Sequence, residues 1–362
     1  MIDSIYHISS YDYQLPEGQI AQEPATRRDG SRLLVVPGST GIIEDWQFAD
    51  LPGMIRPGDV LVVNDTKVFP ARLRGRKETG GQVELLLLQY PDRGGGYTGI
   101  VAAGGQAEVR GLVKSSKRPK PGSRLMFGPD LAAEVLEVLS SGEVLVLLCW
   151  QGDLDEVLGA YGVLPLPPYI HRQPGEERDD RQRYQTVYAR ESGAIAAPTA
   201  GLHFSGDLLQ KVREKGGQLV PVTLHVGYGT FAPVRDTDIR NHSIHAEFVT
   251  VPDSTVQAIA AAKASGGRVW AVGTTSARAL EFAATSGELK AVSDWCRLYI
   301  YPGYEFRVVD NLITNFHLPQ SSLLFMVSAF AGLDLVRLAY QRALELGYRF
   351  YSYGDAMVLI RK

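Results

Sequence analysis

Three stretches in the second half of the chain repeat one pattern. "DLLQKVREKGG" runs into "QLVPVTLHVGYG", "STVQAIAAAKASGG" into "RVWAVGTTS", and "DLVRLAYQRALELG" into "YRFYSYGDAM". Each has apolar residues three and four apart, then a glycine stop, then a strand-like run ending in polar or glycine-rich residues. Helix followed by strand, repeated, predicts a mainly parallel sheet covered by helices. Ligands of such sheets bind beyond the carboxyl ends of the strands. The polar residues after the three strands are therefore expected on one rim. They are His225, Gly227 and Gly229; Thr274, Thr275, Ser276 and Arg278; and Tyr353, Gly354 and Asp355.

The segment from Val60 to Trp150 follows another rule. Short runs such as "VLVVN", "QVELLLLQY", "YTGIVAA", "AAEVLEVL" and "EVLVLLCW" alternate with "KETGG", "PDRGGG" and "KRPKPG". Close-spaced strands with turn residues between them predict a small barrel or sandwich. "DLDEVLGAYG" then reads as a helix opened by an acidic residue, "VLPLPPYI" as a proline-stiffened connector, and "GEERDDRQR" as an exposed charged loop. A chain of 362 residues, 45% hydrophobic and 21% charged, suits two domains or one with an insertion.

Charge and cysteine usage narrow the class. A formal net charge of −3 means that binding an acidic partner would need a local basic patch. Two segments supply one: "VNDTKVFPARLRGRK", with Lys67, Arg72, Arg74, Arg76 and Lys77, and "VKSSKRPKPGSR", with Lys114, Lys117, Arg118, Lys120 and Arg124. They could follow a phosphate backbone or simply form a solvated hairpin face. Cys149 and Cys296 make neither a disulfide framework nor a zinc signature, which suits a reducing cytoplasm. The N-terminus lacks the pattern of a secretory signal, and no apolar run reaches the roughly 20 residues that span a bilayer.

Several motifs carry candidate chemistry. "VGYGTFAP" matches a dinucleotide fingerprint through Gly227, Gly229 and Ala232, but Pro233 falls too early in the helix that fingerprint requires. In "VGTTSARALEF", Thr274, Thr275 or Ser276 can cap a helix whose N-terminus attracts an anion, with Arg278 adding a bidentate grip or pairing with Glu281. "AAPTAGLHF" places Thr199 and His203 at a small-residue turn, and "HSIHAEF" supplies His242, His245 and Glu247. No third ligand stands at a recognisable spacing from His242 and His245, so no metal site is expected. "NLITNFHLPQSSLLF" sets Asn315 and His317 between apolar runs. This predicts a strand that ends at the rim, a turn at Pro319, and a helix capped by Ser321 or Ser322.

Nine blocks in one order cover nearly the whole chain: "YDYQLPEGQIAQEP…RRDGSRLLV", "NDTKVFPARL", "YQTVYA", "AAPTAGLHF", "LHVGYGTFAPV", "HSIHAEF", "AVGTTSARALE", "YIYPGYEFRVVDNLITNFHLPQSSLL" and "FYSYGDAM". The chain resembles the S-adenosylmethionine:tRNA ribosyltransferase-isomerase family of queuosine biosynthesis. It departs from the family's pattern at Cys296 and Arg297, where a glycine and a threonine are expected nearby, and at Tyr228.

The resemblance implies a barrel-like α/β main domain (residues 1–63 and 151–362) carrying an inserted small all-β barrel (64–150). It implies a tRNA whose wobble base is 7-aminomethyl-7-deazaguanine, and S-adenosylmethionine as a consumed ribosyl donor, with no metal or redox cofactor. A cytoplasmic monomer, without a membrane, is expected. For such chemistry His203, His225 and His317 are the candidates for proton transfer, with His245 next. Asp65, Glu247 and Asp355 are the carboxylates expected to face a cation or ribose hydroxyls. Lys67, Arg72, Thr199, Gly227, Gly229, Thr274, Thr275, Ser276, Arg278 and Asn315 complete the expected binding set. Two other readings use the same residues: an S-adenosylmethionine-dependent RNA methyltransferase, which would leave adenosylhomocysteine, and a non-catalytic RNA-binding module.

Overall fold

The computed structural model describes residues 3–38, 42–91, 97–101, 104–173, 179–231 and 234–361. Ala232 and Pro233 of the glycine loop, and 175–178 of the charged loop, lie outside the described residues.

Strands β1 (Arg32–Pro37), β2 (Glu44–Gln47) and β3 (Val60–Asn64) come first, and β4 (Thr66–Val68) follows. Next come β5 (Arg72–Lys77), β6 (Gln82–Leu87), β7 (Tyr97–Val101), β8 (Gly104–Ser115), β9 (Arg124–Gly128), β10 (Leu131–Val138) and β11 (Val144–Gln151). The chain returns through α1 (Leu154–Tyr161), β12 (Gly162–Val163), α2 (Asp180–Arg183) and β13 (Glu191–Ala194). Then follow α3 (Gly206–Glu214), β14 (Gln218–Leu224), β15 (Glu247–Val251), α4 (Asp253–Ala264), β16 (Val269–Val272) and α5 (Thr274–Ala283). Last are β17 (Val292–Cys296), β18 (Asn311–Asn315), α6 (Ser322–Ala331), α7 (Leu333–Glu345) and β19 (Ala356–Ile360).

The short runs of the first half close into a barrel. Its strand order is β11-β10-β9-β5-β6-β8, and β8 pairs back onto β11, so six strands form a ring. Alternation explains the closure: in β6 and β11, and in β10 as far as Val135, every second side chain is buried, and these residues fill the interior. β4 belongs elsewhere, pairing in parallel with β13.

The other half builds a nine-stranded sheet in the order β17-β15-β14-β3-β16-β18-β19-β1-β2. Its centre, β14-β3-β16-β18, is parallel. β3, β16 and β18 are buried along their whole length, because helices cover one face and loops and further helices the other. The expected α/β domain with an inserted β-barrel is therefore present.

The third repeat departs from the expected pattern. "YRFYSYGD" is not a strand: Tyr351 sits at φ 71°, and β19 starts only at Ala356 and runs antiparallel to β18. The two expected helices separate β18 from β19, and α7 turns 113° from α6. The doubled crossover returns the chain to the rim it left, so β19 begins where β18 ends, with Ala356 beside Asn315. Residues 352–355 thus reach the predicted rim from the opposite strand direction. No single described helix is long and apolar enough to cross a membrane.

Candidate active site

The carboxyl ends of β3, β14, β16 and β18 deliver Asp65, His225, Gly273 and Phe316 to one edge of the sheet. A cavity of ≈ 120 Å³ opens there. Thr199, Gly229, His245, Glu247, Thr274, Thr275, Arg278, Asn315 and His317 of the expected set line it. His203, His225, Asp65, Lys67, Arg72, Gly227, Ser276 and Asp355 do not.

Of His203, His225 and His317, it is His317 that has a place in the cavity wall, with the further candidate His245 at its exposed edge. The Nε2 of His317 lies 2.8 Å from Thr314 Oγ1, and its backbone is fixed on both sides: the N–H donates to Tyr340 Oη at 2.9 Å, and the carbonyl accepts from the Tyr13 hydroxyl. Among the described residues Nδ1 has no hydrogen-bond partner. Burial lowers its pKa to about 3, so the ring is neutral. The turn that presents it ends as the sequence predicts, with Ser321 Oγ accepting from Leu324 N–H at 3.3 Å to cap α6.

His203 stands behind the cavity wall. Its Nδ1 is 2.7 Å from Ser31 Oγ, and its Nε2 is 3.1 Å from Asn315 Nδ2. Phe48 packs on the ring. Burial, then the charge of Arg349, lowers its pKa to about 3. An unprotonated Nε2 can accept from the Asn315 amide, whose other donor bond goes to the Tyr351 carbonyl at 3.0 Å. His203 therefore orients Asn315, whose Oδ1 is buried without a hydrogen-bond partner. His225 lies off the cavity, its Nδ1 2.8 Å from Thr66 Oγ1, against Gly193. His245 is exposed, and Gly229 is packed so tightly on it that a Cβ would come within 2.3 Å of its ring.

The carboxylates are engaged. Glu247 forms a buried ion pair with Arg278, and its Oε1 accepts from Gly227 N–H at 2.9 Å. Arg278 also donates to the carbonyls of Leu298 (2.9 Å), Cys296 (3.1 Å) and His245 (3.4 Å). It does not pair with Glu281, which accepts backbone N–H groups from Arg307, Val308 and Val309. Asp65 accepts from Thr223 Oγ1 at 2.6 Å and pairs with Arg190 at 3.0 Å; burial raises its pKa. Asp355 accepts backbone N–H groups from Arg32 (3.0 Å) and Arg349 (2.8 Å), which ties the start of β1 to the segment that leads into β19. Asp65 and Asp355 thus hold the rim together from outside the cavity.

α5 starts differently from the expectation. Its N-cap is Gly273 at φ 90°, with no side-chain cap. A glycine adopts this angle without steric cost. The first helical N–H groups are consequently left for another partner at the cavity wall. Thr275 Oγ1 is buried there without a partner. Ser276 turns inward and donates to Val272 O at 2.8 Å.

Aromatic residues complete the wall. Tyr169, Tyr299, Phe316 and Tyr351 line the cavity. Sequence reasoning missed these four as a group, together with Thr314. Tyr169 comes from the proline-rich connector and Tyr351 from a segment read as strand, so only the fold unites them. Lys67 and Arg72 belong to β4 and β5, away from the cavity. Arg72 lies 3.9 Å from Glu84, and Arg74 pairs with the same carboxylate at 3.1 Å. Among the described residues no three His, Cys, Asp or Glu side chains gather to hold a metal ion.

Residues 8–359 match the family model described as "Queuosine biosynthesis protein". The S-adenosylmethionine:tRNA ribosyltransferase-isomerase of Desulfotalea psychrophila is 52% identical over 355 residues, covering 97% of each chain. The same enzyme of Syntrophotalea carbinolica is 48% identical over 354 residues, covering 98% of this chain and 99% of the relative. Among solved structures, the S-adenosylmethionine tRNA ribosyltransferase of Thermotoga maritima aligns over 97% of this chain and 100% of its own, with a TM-score of 0.55 and 34% identity.

Proposed function

The chain belongs to the queuosine biosynthesis protein family and is an enzyme of its S-adenosylmethionine:tRNA ribosyltransferase-isomerase class; on that premise we propose that it transfers and isomerises the ribosyl group of S-adenosylmethionine onto 7-aminomethyl-7-deazaguanine at the tRNA wobble position. The products are epoxyqueuosine-tRNA, adenine and methionine. S-adenosylmethionine is consumed as a substrate, no further cofactor is required, and the enzyme works as a monomer in the cytoplasm.

The observation that carries this reading is the pairing, in one aromatic cavity, of a neutral imidazole with an uncapped helix N-terminus. The sulfonium acidifies the neighbouring ribose methylene. With Nε2–H donated to Thr314, the Nδ1 lone pair of His317 is free to take that proton. The electron pair left on C5′ breaks the bond from C4′ to the ring oxygen, and that oxygen becomes an aldehyde at C1′. Adenine departs with the electron pair of its glycosidic bond and takes up the proton that His317 removed. The neutral aminomethyl nitrogen then adds to C4′ of the vinyl sulfonium and loses a proton, and the ylide restored at C5′ bonds to the aldehyde carbon to close the five-membered carbon ring. The resulting alkoxide closes the epoxide on C5′, breaking the carbon–sulfur bond and expelling methionine. The N–H groups at the start of α5, with Thr275 Oγ1, suit the methionine carboxylate. Tyr169, Tyr299, Phe316 and Tyr351 offer faces for the sulfonium, the adenine and a base splayed from the anticodon loop.

The test is an incubation with S-adenosylmethionine and tRNA bearing the aminomethyl-deazaguanine, followed by chromatography of the small molecules. Equal amounts of adenine and methionine, formed only with that tRNA, are expected. Adenosylhomocysteine would mean methyl transfer, and RNA binding without turnover would mean a binding module. The His317→Ala variant should lose turnover while His225→Ala retains most of it.

A further inference from the structure

Beyond the Asn315–His203 contact lies a second, smaller recess, with Ser352 on the wall of both. Arg28, Arg183, Ser31, His203, Ser352 and Gly354 line it. Its ≈ 10 Å³ matches about one water or one phosphoryl oxygen.

Two guanidinium groups meet here with only neutral acceptors. Arg28 donates to the carbonyls of Leu202 (3.3 Å) and Gln182 (2.7 Å), and Arg183 to those of Thr26 (3.2 Å) and Ala25 (2.5 Å). An arginine carries five N–H donors, so each keeps three after these bonds. The Nε of Arg183 is buried with no partner. Neither side chain forms an ion pair with a described carboxylate. Three neighbouring acids are committed elsewhere: Asp180 to Arg172 and the Tyr353 hydroxyl, Asp29 to Arg27 and Ser205, and Asp355 to Arg349; a fourth, Asp179, acts on Arg28 without an ion pair. The positive charges also act on one another: burial and then the charge of Arg183 lower the pKa of Arg28, against a weaker opposing pull from Asp179.

Bringing like charges together under partial burial is costly unless an anion joins them. Braces between loops would not need it, because neutral donors could hold the same four carbonyls. Paired planar forks fit a phosphate group well. We propose that the Arg28–Arg183 recess binds a phosphate group, and that its occupant in the working enzyme is the RNA backbone phosphate beside the nucleotide that enters the cavity. This rests on reading the substrate as tRNA. The shared Ser352 wall sets the two sites one side chain apart, as a base and its neighbouring phosphate require.

The test uses the full-length protein and an unmodified anticodon stem-loop RNA, with affinity measured by anisotropy across a potassium chloride series. Each phosphate contact contributes roughly 0.7–0.9 to the slope of log K against log salt. Arg28→Gln and Arg183→Gln should each flatten the slope by about that amount, with no further change in the double variant, whereas Arg183→Lys keeps most of it. The two arginines brace different segments, so if one Gln variant fails to fold the other still decides. A second arm follows the melting temperature as inorganic phosphate replaces chloride at constant ionic strength. Protection of the wild type that the Gln variants lose, with an unmoved RNA slope, would assign the recess to free phosphate and overturn its RNA role. If the wild type binds no RNA but shows that protection, the tRNA reading fails and the anion site stands. Unchanged slopes together with no phosphate protection refute the site.

Discussion

His203 and His317 make the stability of this protein depend on pH in a way that can be worked out in advance. Both are almost wholly buried, and burial lowers each from the ordinary value of 6.5 to about 3, with Arg349 adding to the effect at His203. Above pH 6.5 the ring is neutral in the folded and the unfolded chain, and nothing is lost. Below it the unfolded chain binds a proton that the folded protein refuses until about pH 3. Stability therefore falls as pH falls through that window, by up to about 1.4 kcal/mol per pH unit for each histidine. At about pH 5 the loss is about 2 kcal/mol each, or about 4 kcal/mol together. The assay is equilibrium urea denaturation at about pH 7.5 and about pH 5 for the wild type, His203→Gln and His317→Gln. Each variant should lose about 2 kcal/mol less than the wild type over the same step, whatever its absolute stability. Carboxylates also titrate, but they are common to all three proteins and cancel in the difference. Superimposable pH dependences would show that these imidazoles are not held neutral, and the reading of both as neutral groups would fall.

Three further outcomes follow from single contacts. Glu247→Gln leaves the Arg278 charge buried without its partner and should cost about 3–5 kcal/mol in urea denaturation; a cost below about 1 kcal/mol would mean the pair is open to water. Thr275→Val should weaken S-adenosylmethionine binding about tenfold or more by calorimetry while Thr275→Ser retains it, since the hydroxyl is buried and unpartnered beside the start of α5. Equal affinity in all three proteins would move the carboxylate site elsewhere. Gly193→Ala places a methyl group 2.5 Å from His225 Nδ1 and should cost about 1–3 kcal/mol of stability; a neutral result would mean the ring has room to move.

Much of the fold was legible because it depends on periodicity. The barrel strands alternate, β16 is apolar throughout, and β3 and β18 are apolar along their middles, so each announces the surface it faces. The capping of α6 by Ser321 was readable for the same local reason. The third repeat was not. "YRFYSY" has the composition of a strand, but its tyrosines and Phe350 are used in tertiary packing: Phe350 against Phe316, and Tyr351 against Tyr169. The site was legible as a set of motifs, and less so as a division of labour. Sequence spacing brings His203, His225 and His317 to one rim, but which ring faces the cavity depends on Ser31, Thr66 and Asn315, partners far away in the chain. Arg278 shows the same limit. Glu281, its partner at helical spacing, is claimed by the backbone at 307–309, and Arg278 turns instead to Glu247.

The fate of the carboxylates bears on the chemistry of the proposed ribosyl transfer. A cationic substrate would lead one to expect a free acid facing the sulfonium, yet Glu247 is neutralised by Arg278, and Asp65 and Asp355 are used outside the cavity. Removing a proton beside a sulfonium converts a cation into a species with no net charge. A carboxylate in contact would stabilise the cation more than the transition state that leads away from it, and would raise the barrier. Aromatic faces hold the cation more loosely. A neutral imidazole adds no repulsion to substrate binding and offers a lone pair at any working pH above about 3. Such a base has a small proton affinity, so most of the driving force must come from the acidity that the sulfonium confers. A cavity that holds Glu247 in an ion pair and His317 neutral is thus matched to a reaction that begins by consuming the substrate's positive charge.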